Sequence, residues 1–383
     1  MTRRELVVAG VGIAFVTGGI AAVLATRHHE TYTVVVSPPA PPRAAPPAPP
    51  APPAPPASTP ERSGEALAMV AAASAAPVIA VASEHHLWIS HDDGKTFAAA
   101  LDGSGSIVAL FVDAGGQVYL HRMTLKESKV NGTTYVGGRD ELGVADRDGH
   151  EHWHELPDNL SPLAVRDGTV LALDSSGILL GRDGGASWTP GPDARAWNPW
   201  LVSRASDDVL MLASKNGKDD AVLAGMSLLV SRAGGPMKTV WSDPVPGAFG
   251  VETEGAPCAA FVGTTLYMVM DDPQRGTRLV RVDERGKTRA TKLTDIVGGV
   301  PMGEGMKCEL AGNDHAAYLT TSKVNFRIDG AKPVLFHGTG TEADAIAVDA
   351  AGNLLALGNR CVMRLHGEAQ QIDEVVCGGR PRE

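Results

Sequence analysis

Cysteine, aromatic and basic residues are all scarce in this chain of 383 residues. Cysteine occurs four times, and Phe, Trp and Tyr together make up 5%. No two cysteines stand at Cys-x-x-Cys spacing, which removes a cysteine zinc cluster and a thioredoxin-like redox centre. There is no Gly-Lys-Ser/Thr phosphate loop, Gly-x-Ser-x-Gly elbow, His-Glu-x-x-His helix or EF-hand loop. No cofactor is therefore implied. Lys and Arg number 34 against 44 Asp and Glu, a formal charge of −10. Residues 1–60 hold four arginines and two glutamates, leaving 30 basic and 42 acidic side chains, a net of −12, in residues 61–383. Such a body repels phosphate backbones, so no nucleic-acid partner is expected.

What is present divides the chain in four. Residues 1–5 form a short arginine-bearing N-terminus. Leu6 to Ala25 is an uncharged run within a segment, 6–26, long enough to cross a bilayer as a helix at about 1.5 Å per residue. Arg3 and Arg4 favour a cytoplasmic N-terminus, and Val23-Leu24-Ala25 also suits signal-peptide cleavage. Both alternatives export the remainder. The first makes the protein a single-pass protein of the cell membrane, with its C-terminal domain periplasmic or extracellular, as in a bacterial envelope. Residues 27–65 are a linker. Its Ser37–Pro60 stretch has 13 prolines and seven alanines in 24 residues, which predicts polyproline II, roughly 70 Å long at about 3.1 Å per residue. Residues 66–383 change character, to apolar runs of four to seven residues between Gly, Asp, Asn and Pro clusters. This is an all-β pattern.

That body repeats internally. Leu87-Trp88-Ile89-Ser90-His91-Asp92-Asp93-Gly94-Lys95-Thr96-Phe97 aligns with Leu179-Leu180-Gly181-Arg182-Asp183-Gly184-Gly185-Ala186-Ser187-Trp188, and a decayed copy runs from Leu228 to Gly235. The shared pattern resembles the Asp-box, or BNR repeat, of sialidase-like β-propellers. It rests on Ser90, Asp92, Gly94, Thr96 and Phe97 in the first copy and on Asp183, Gly185, Ser187 and Trp188 in the second. The resemblance implies a turn between the third and fourth strands of a blade, with a structural rather than catalytic aspartate. Used as a ruler, it starts third strands near Trp88, Leu142, Ile178, Leu228, Arg278, Val324 and Cys361. The expectation is a seven-bladed β-propeller of four-stranded antiparallel blades, after one transmembrane helix and a Pro/Ala-rich linker. A pair of β-sandwiches is the competing architecture. Blade two is expected as Ile107–Val112, Val118–Arg122, Leu142–Asp146 and His152–Leu156. Blade seven is expected as Ala345–Val348, Leu354–Leu357, Cys361–Leu365 and Gln370–Asp373. Blade one begins with Leu67–Ala72, so no strand is exchanged between the chain ends.

Four cysteines in an exported chain permit disulfides. The propeller favours Cys258–Cys308 between neighbouring inner strands and Cys361–Cys377 tying the tail to blade seven, with free buried thiols as the alternative. His150, His152 and His154 share a face on a strand, a metal-binding arrangement or a polar edge that discourages pairing. Trp197 and Trp200, in a proline-flanked loop, are candidates for stacking on a glycan, or for packing beneath that loop. Sialidase chemistry needs an activated tyrosine and converging arginines, and no motif assigns Tyr119, Tyr135, Tyr267 or Tyr318 such a role. Phe326-Arg327-Ile328-Asp329 imitates a sialidase motif but lacks its proline and reads as an ordinary strand. No catalytic constellation emerges. The expected function is a membrane-anchored scaffold binding a protein or cell-envelope partner, with a sialidase-like glycoside hydrolase or a glycan-binding module as alternatives.

Overall fold

A strand that is apolar on both faces is stable only if both faces are covered, and alternate residues of each inner-blade strand here enter two different cores. In Asp208–Lys215, Val209, Met211 and Ala213 join one cluster, whereas Leu212 joins another with Leu228 and Leu266. The computed structural model describes residues 65–383 apart from 103–104, 131–132, 146–150, 158, 175–176, 206, 216–225, 244–257, 273–275, 294–307, 322–324, 331–333, 338–342, 367–370 and 379–383. The expected membrane segment, its flanks and the Pro/Ala-rich stretch lie outside the described residues.

The described chain forms seven four-stranded antiparallel sheets, each built in sequence order. Their innermost strands are Met69–Ala72, Ser106–Val112, Ser161–Arg166, Trp197–Ala205, Ala259–Val262, Cys308–Gly312 and Ala345–Val348. Seven apolar clusters lie between successive sheets, one at each interface. One of them joins Leu67, Val70, Val81 and Trp88 of the first sheet to Leu355, Val362 and Val376 of the last. The ring is therefore closed. This is a seven-bladed β-propeller, and each blade keeps all four of its own strands. Burying a large apolar side chain stabilises by about 1.5–3 kcal/mol, so the inter-blade clusters dominate the cohesion of the domain.

Strand direction alternates along each blade. One end of the ring carries the turns from first to second and from third to fourth strands; we call it the turn end. The other, the entry end, carries the second-to-third turns and the blade-to-blade connections. Residue 65 enters there, and Gly378 lies against Glu65 and Leu67.

Two blades depart from the expected strand limits. In blade seven the outer strand is Ile372–Cys377, not Gln370–Asp373. A bulge opposite Val362 and Met363 leaves Val375 unpaired, so pairing continues and Val376 reaches the core facing blade one. In blade two the middle strands are Val118–Val130 and Thr133–Ala145, 13 residues each, far longer than Val118–Arg122 and Leu142–Asp146. Their Thr, Val and Tyr content favours extended backbone, and Asn131-Gly132 between them is a two-residue hairpin signal.

Candidate functional site

The turn end is shaped by carboxylates folded back onto their own turns. Ser90 ends the third strand of blade one, and its hydroxyl donates to Asp92 Oδ1 at 2.8 Å while accepting the Gly94 N–H at 2.8 Å. Asp92 also accepts from Thr96, from the backbone N–H at 2.9 Å and the hydroxyl at 2.7 Å. The bonds from the Thr96 hydroxyl and N–H, then that from Ser90, hold its carboxyl down at about 2. Phe97 packs beside the core between blades seven and one.

Asp183 occupies the corresponding hairpin of blade three, in a short 3-10 turn at Asp183–Gly185. There the backbone holds the turn: Ala186 N–H donates to the Asp183 carbonyl at 3.3 Å. Trp188 on the outer strand covers Gly181, where a Cβ would meet its ring at 2.7 Å. Glycine therefore stands where blade one has Ser90. Ser187 begins that outer strand, and Gly185, at φ +91°, fits against Leu142 of blade two. In blade four Ala233 sits at the aspartate position, and Asp208 of the second strand supplies the carboxylate instead. It accepts from Ala233 N–H at 3.1 Å and pairs with Arg232 at 2.5 Å.

A second repeated turn escaped the sequence reading. Val112-Asp113, Val282-Asp283 and Val348-Asp349 each begin Val-Asp-x-x-Gly. Each aspartate accepts the N–H four residues on, at 2.9, 2.8 and 2.8 Å, while its carbonyl takes the glycine N–H. The spelling VDAGGQ, VDERGK and VDAAGN was the available signal. These aspartates are turn builders, and Asp349 anchors more besides. Arg364, on the third strand of blade seven, lies between Asp349 Oδ2 at 3.0 Å and Asp93 Oδ1 of blade one at 2.7 Å.

All four cysteines are paired, and both disulfides lie at the entry end. Cys258–Cys308 joins the inner strands of blades five and six, and Cys361–Cys377 joins the third and outer strands of blade seven. The second is therefore a bond within a sheet; it does not tie a separate tail to it.

The remaining candidates are dispersed. Trp197 and Trp200 lie on the innermost strand of blade four and not in a loop. Both are half-buried, Trp197 against the core toward blade three and Trp200 against the core toward blade five. They form no shared aromatic platform, because they pack into different inter-blade cores. His152 and His154 share a face of the outer strand of blade two, whereas His150 lies outside the described residues. Among the described residues, the one group of three metal-ligating side chains is Cys361, Glu374 and Cys377, whose sulfurs are joined to each other. Phe326 and Ile328 are core residues, and Arg327 pairs with Asp329 at 2.9 Å.

Nor do tyrosines and acids assemble into a reactive centre among the described residues. Tyr119, Tyr267 and Tyr318 are buried. Burial pushes the Tyr119 and Tyr318 phenols up to about 12 and raises that of Tyr267. Tyr318 donates to the Gly352 carbonyl at 2.7 Å. At the entry end Glu65 sits between the Ser83 hydroxyl and His86 Nδ1, the latter at 3.0 Å. In a nucleophile–base relay the histidine stands in the middle, so this order is wrong for one. The seven innermost strands carry only three charged residues, Arg166, Arg204 and Glu309, and each contains alanine.

The most developed polar cluster braces the long hairpin of blade two. Arg122 pairs with Glu141 at 2.8 Å and stacks 3.5 Å from the Trp153 ring centre. Arg139 reaches Glu155 at 2.6 Å, and His121 meets Asp140 at 3.0 Å. Burial raises the carboxyl of Glu151, which accepts the Trp153 N–H at 3.0 Å. Together these contacts fix the hairpin root.

No family model matches the chain, and no curated protein matches it significantly. Its fold is similar to that of a GH74 enzyme from Niastella koreensis, at 12% identity and a TM-score of 0.54 over 81% of this chain and 54% of the other. It is also similar to PorZ of Porphyromonas gingivalis, an essential bacterial surface component of the type-IX secretion system, at 10% identity and a TM-score of 0.51 over 81% and 38%. The chain thus spans about half of the first and less of the second. At such identities the likeness establishes a seven-bladed β-propeller and nothing finer. Among the described residues no helix is long and apolar enough to cross a membrane.

Proposed function

We propose that the protein is a membrane-anchored, extracytoplasmic propeller scaffold that binds a protein or cell-envelope partner. The observation that carries this reading is the pairing of all four cysteines, which suits an oxidising compartment and agrees with the apolar Leu6–Ala25 run. The sequestered tyrosines and the self-satisfied carboxylates favour binding over catalysis. The likeness to PorZ, a surface component, supports the same direction. We read the Ser90–Phe97 turn as an Asp-box, with Asp92 holding a hairpin. The test is in-cell crosslinking followed by affinity purification, combined with a topology reporter fused to the C-terminus. A discrete crosslinked partner and an extracytoplasmic reporter signal are expected; a cytoplasmic reporter signal overturns the compartment.

The likeness to a GH74 enzyme supports a second reading, action on or binding of glycans. Hydrolysis of a fluorogenic glycoside that one acid-to-amide substitution abolishes would establish it in place of the scaffold.

A further inference from the structure

The long hairpin of blade two continues past its own sheet. The inner strand Ser106–Val112 pairs only as far as Met123, and the outer strand Glu151–Glu155 pairs with Glu141–Ala145. Beyond them, Thr124–Val130 and Thr133–Asp140 pair with each other alone. Seven residues at about 3.3 Å each carry this arm roughly 23 Å from the entry end. Its root is rigid, held by the ion pairs of Arg122 and Arg139.

Natural sheets blunt long exposed edges, because a row of free N–H and C=O groups invites a further strand. Here Leu125–Val130 presents such an edge, with no strand added to it among the described residues. Exposed apolar side chains gather at the same place. Of the five large exposed hydrophobic residues among those described, Val108, Met123 and Leu125 belong to this hairpin or the strand beside it, and Leu125 is 75% exposed. The opposite edge includes Gly137-Gly138, a poor template for a strand. Charge selects the occupant. The Leu125–Val130 edge carries Lys126 and Lys129 against Glu127, on a body of net charge −12. A second copy brings the same acidic body and is repelled, whereas an acidic segment complements the net positive charge of this stretch of sequence.

We propose that the Leu125–Val130 edge of this arm docks an extended acidic segment of a partner protein as an added β-strand. Main-chain hydrogen bonds supply the binding, and apolar residues at alternate positions meet Met123 and Leu125. The proposal rests on the scaffold reading and names how that scaffold engages its partner.

The test uses the purified protein, a variant with residues 125–138 replaced by Asn-Gly, and an intact-arm variant, K126E/K129E. The probes are two eight-residue peptides, alternating Glu-Val and alternating Lys-Val. Binding is followed by fluorescence anisotropy and amide hydrogen exchange. The Glu-Val peptide should bind the parent protein, slow exchange of residues 125–130 at least tenfold, and outcompete the Lys-Val peptide. Each variant should bind it at least tenfold more weakly. Equal binding by the shortened variant, absence of binding to the parent, or protection elsewhere overturns the proposal. So does a parent dimer in sedimentation that dissolves when the arm is shortened, since the occupant is then a second copy. A crosslinked cellular partner that persists with the shortened arm overturns the docking mode alone; no specific partner with either form counts against the scaffold reading itself.

Discussion

Arg364 of blade seven and Asp93 of blade one meet at 2.7 Å, across the seam where the last blade closes on the first. The same guanidinium lies 3.0 Å from Asp349, whose side chain is 2% exposed. Arg364→Leu leaves that buried carboxylate without its cation, although backbone N–H groups of Ala351 and Asn353 still support it. A loss of about 2–4 kcal/mol is expected, read from denaturant unfolding. Arg364→Leu combined with Asp349→Asn should recover part of it. An unchanged unfolding midpoint would show that the seam does not depend on this pair.

Asp92 ties its turn through three hydrogen bonds and sits at about 2, below the ordinary 3.8. Because the folded value is the lower one, the charged carboxylate stabilises the fold above the ordinary value. That contribution fades as pH falls from about 4 to about 2. The melting temperatures of the parent and Asp92→Asn should differ at neutral pH and converge toward pH 2. A gap that stays constant across that window would sink the assignment.

Cys258 and Cys308 join blades five and six across a separation of 50 residues. Cys258→Ser with Cys308→Ser should cost about 2–4 kcal/mol through the unfolded chain. Peptide mapping under non-reducing conditions should find two linkages, this one and Cys361–Cys377. A mixed pairing would contradict the blade order.

Gly94 combines a φ of +83° with a Cβ position 2.7 Å from Val375 of blade seven. Gly94→Ala meets both backbone strain and a neighbouring blade, and about 1–3 kcal/mol of destabilisation is expected. Gly234→Ala, at φ +74° with nothing near its Cβ position, isolates the backbone part. Equal losses in the two variants would show that the packing against Val375 is irrelevant.

Blade spacing was legible because apolar runs and repeated turns recur once per blade. Trp88, Leu142, Ile178, Leu228, Arg278 and Cys361 all fall within third strands, and Val324 immediately precedes one. The length of the blade-two hairpin was missed because a blade template assigns its residues to loops, although Thr133-Thr134-Tyr135-Val136 is strand-forming sequence. Trp197 and Trp200 were misplaced because Pro199 suggested a loop. An innermost strand is a sheet edge, where a proline, which has no N–H to give, disturbs the ladder least, and the bulge at Trp200 beside it already interrupts the pairing. Asp208 standing in for the aspartate lost at Ala233 was beyond sequence reach, since the two lie 25 positions apart. Only the folded blade brings them together.

The chain enters the ring at Glu65, beside Gly378, which follows the outer strand of blade seven. Tension arriving through residue 65 is delivered straight to Met69–Ala72, at the one blade junction whose two sides come from opposite ends of the polypeptide. The disulfide that joins two blades lies elsewhere, between blades five and six, and Cys361–Cys377 staples blade seven only to itself. Under load this propeller should therefore open like a clasp at that junction before any individual blade unravels.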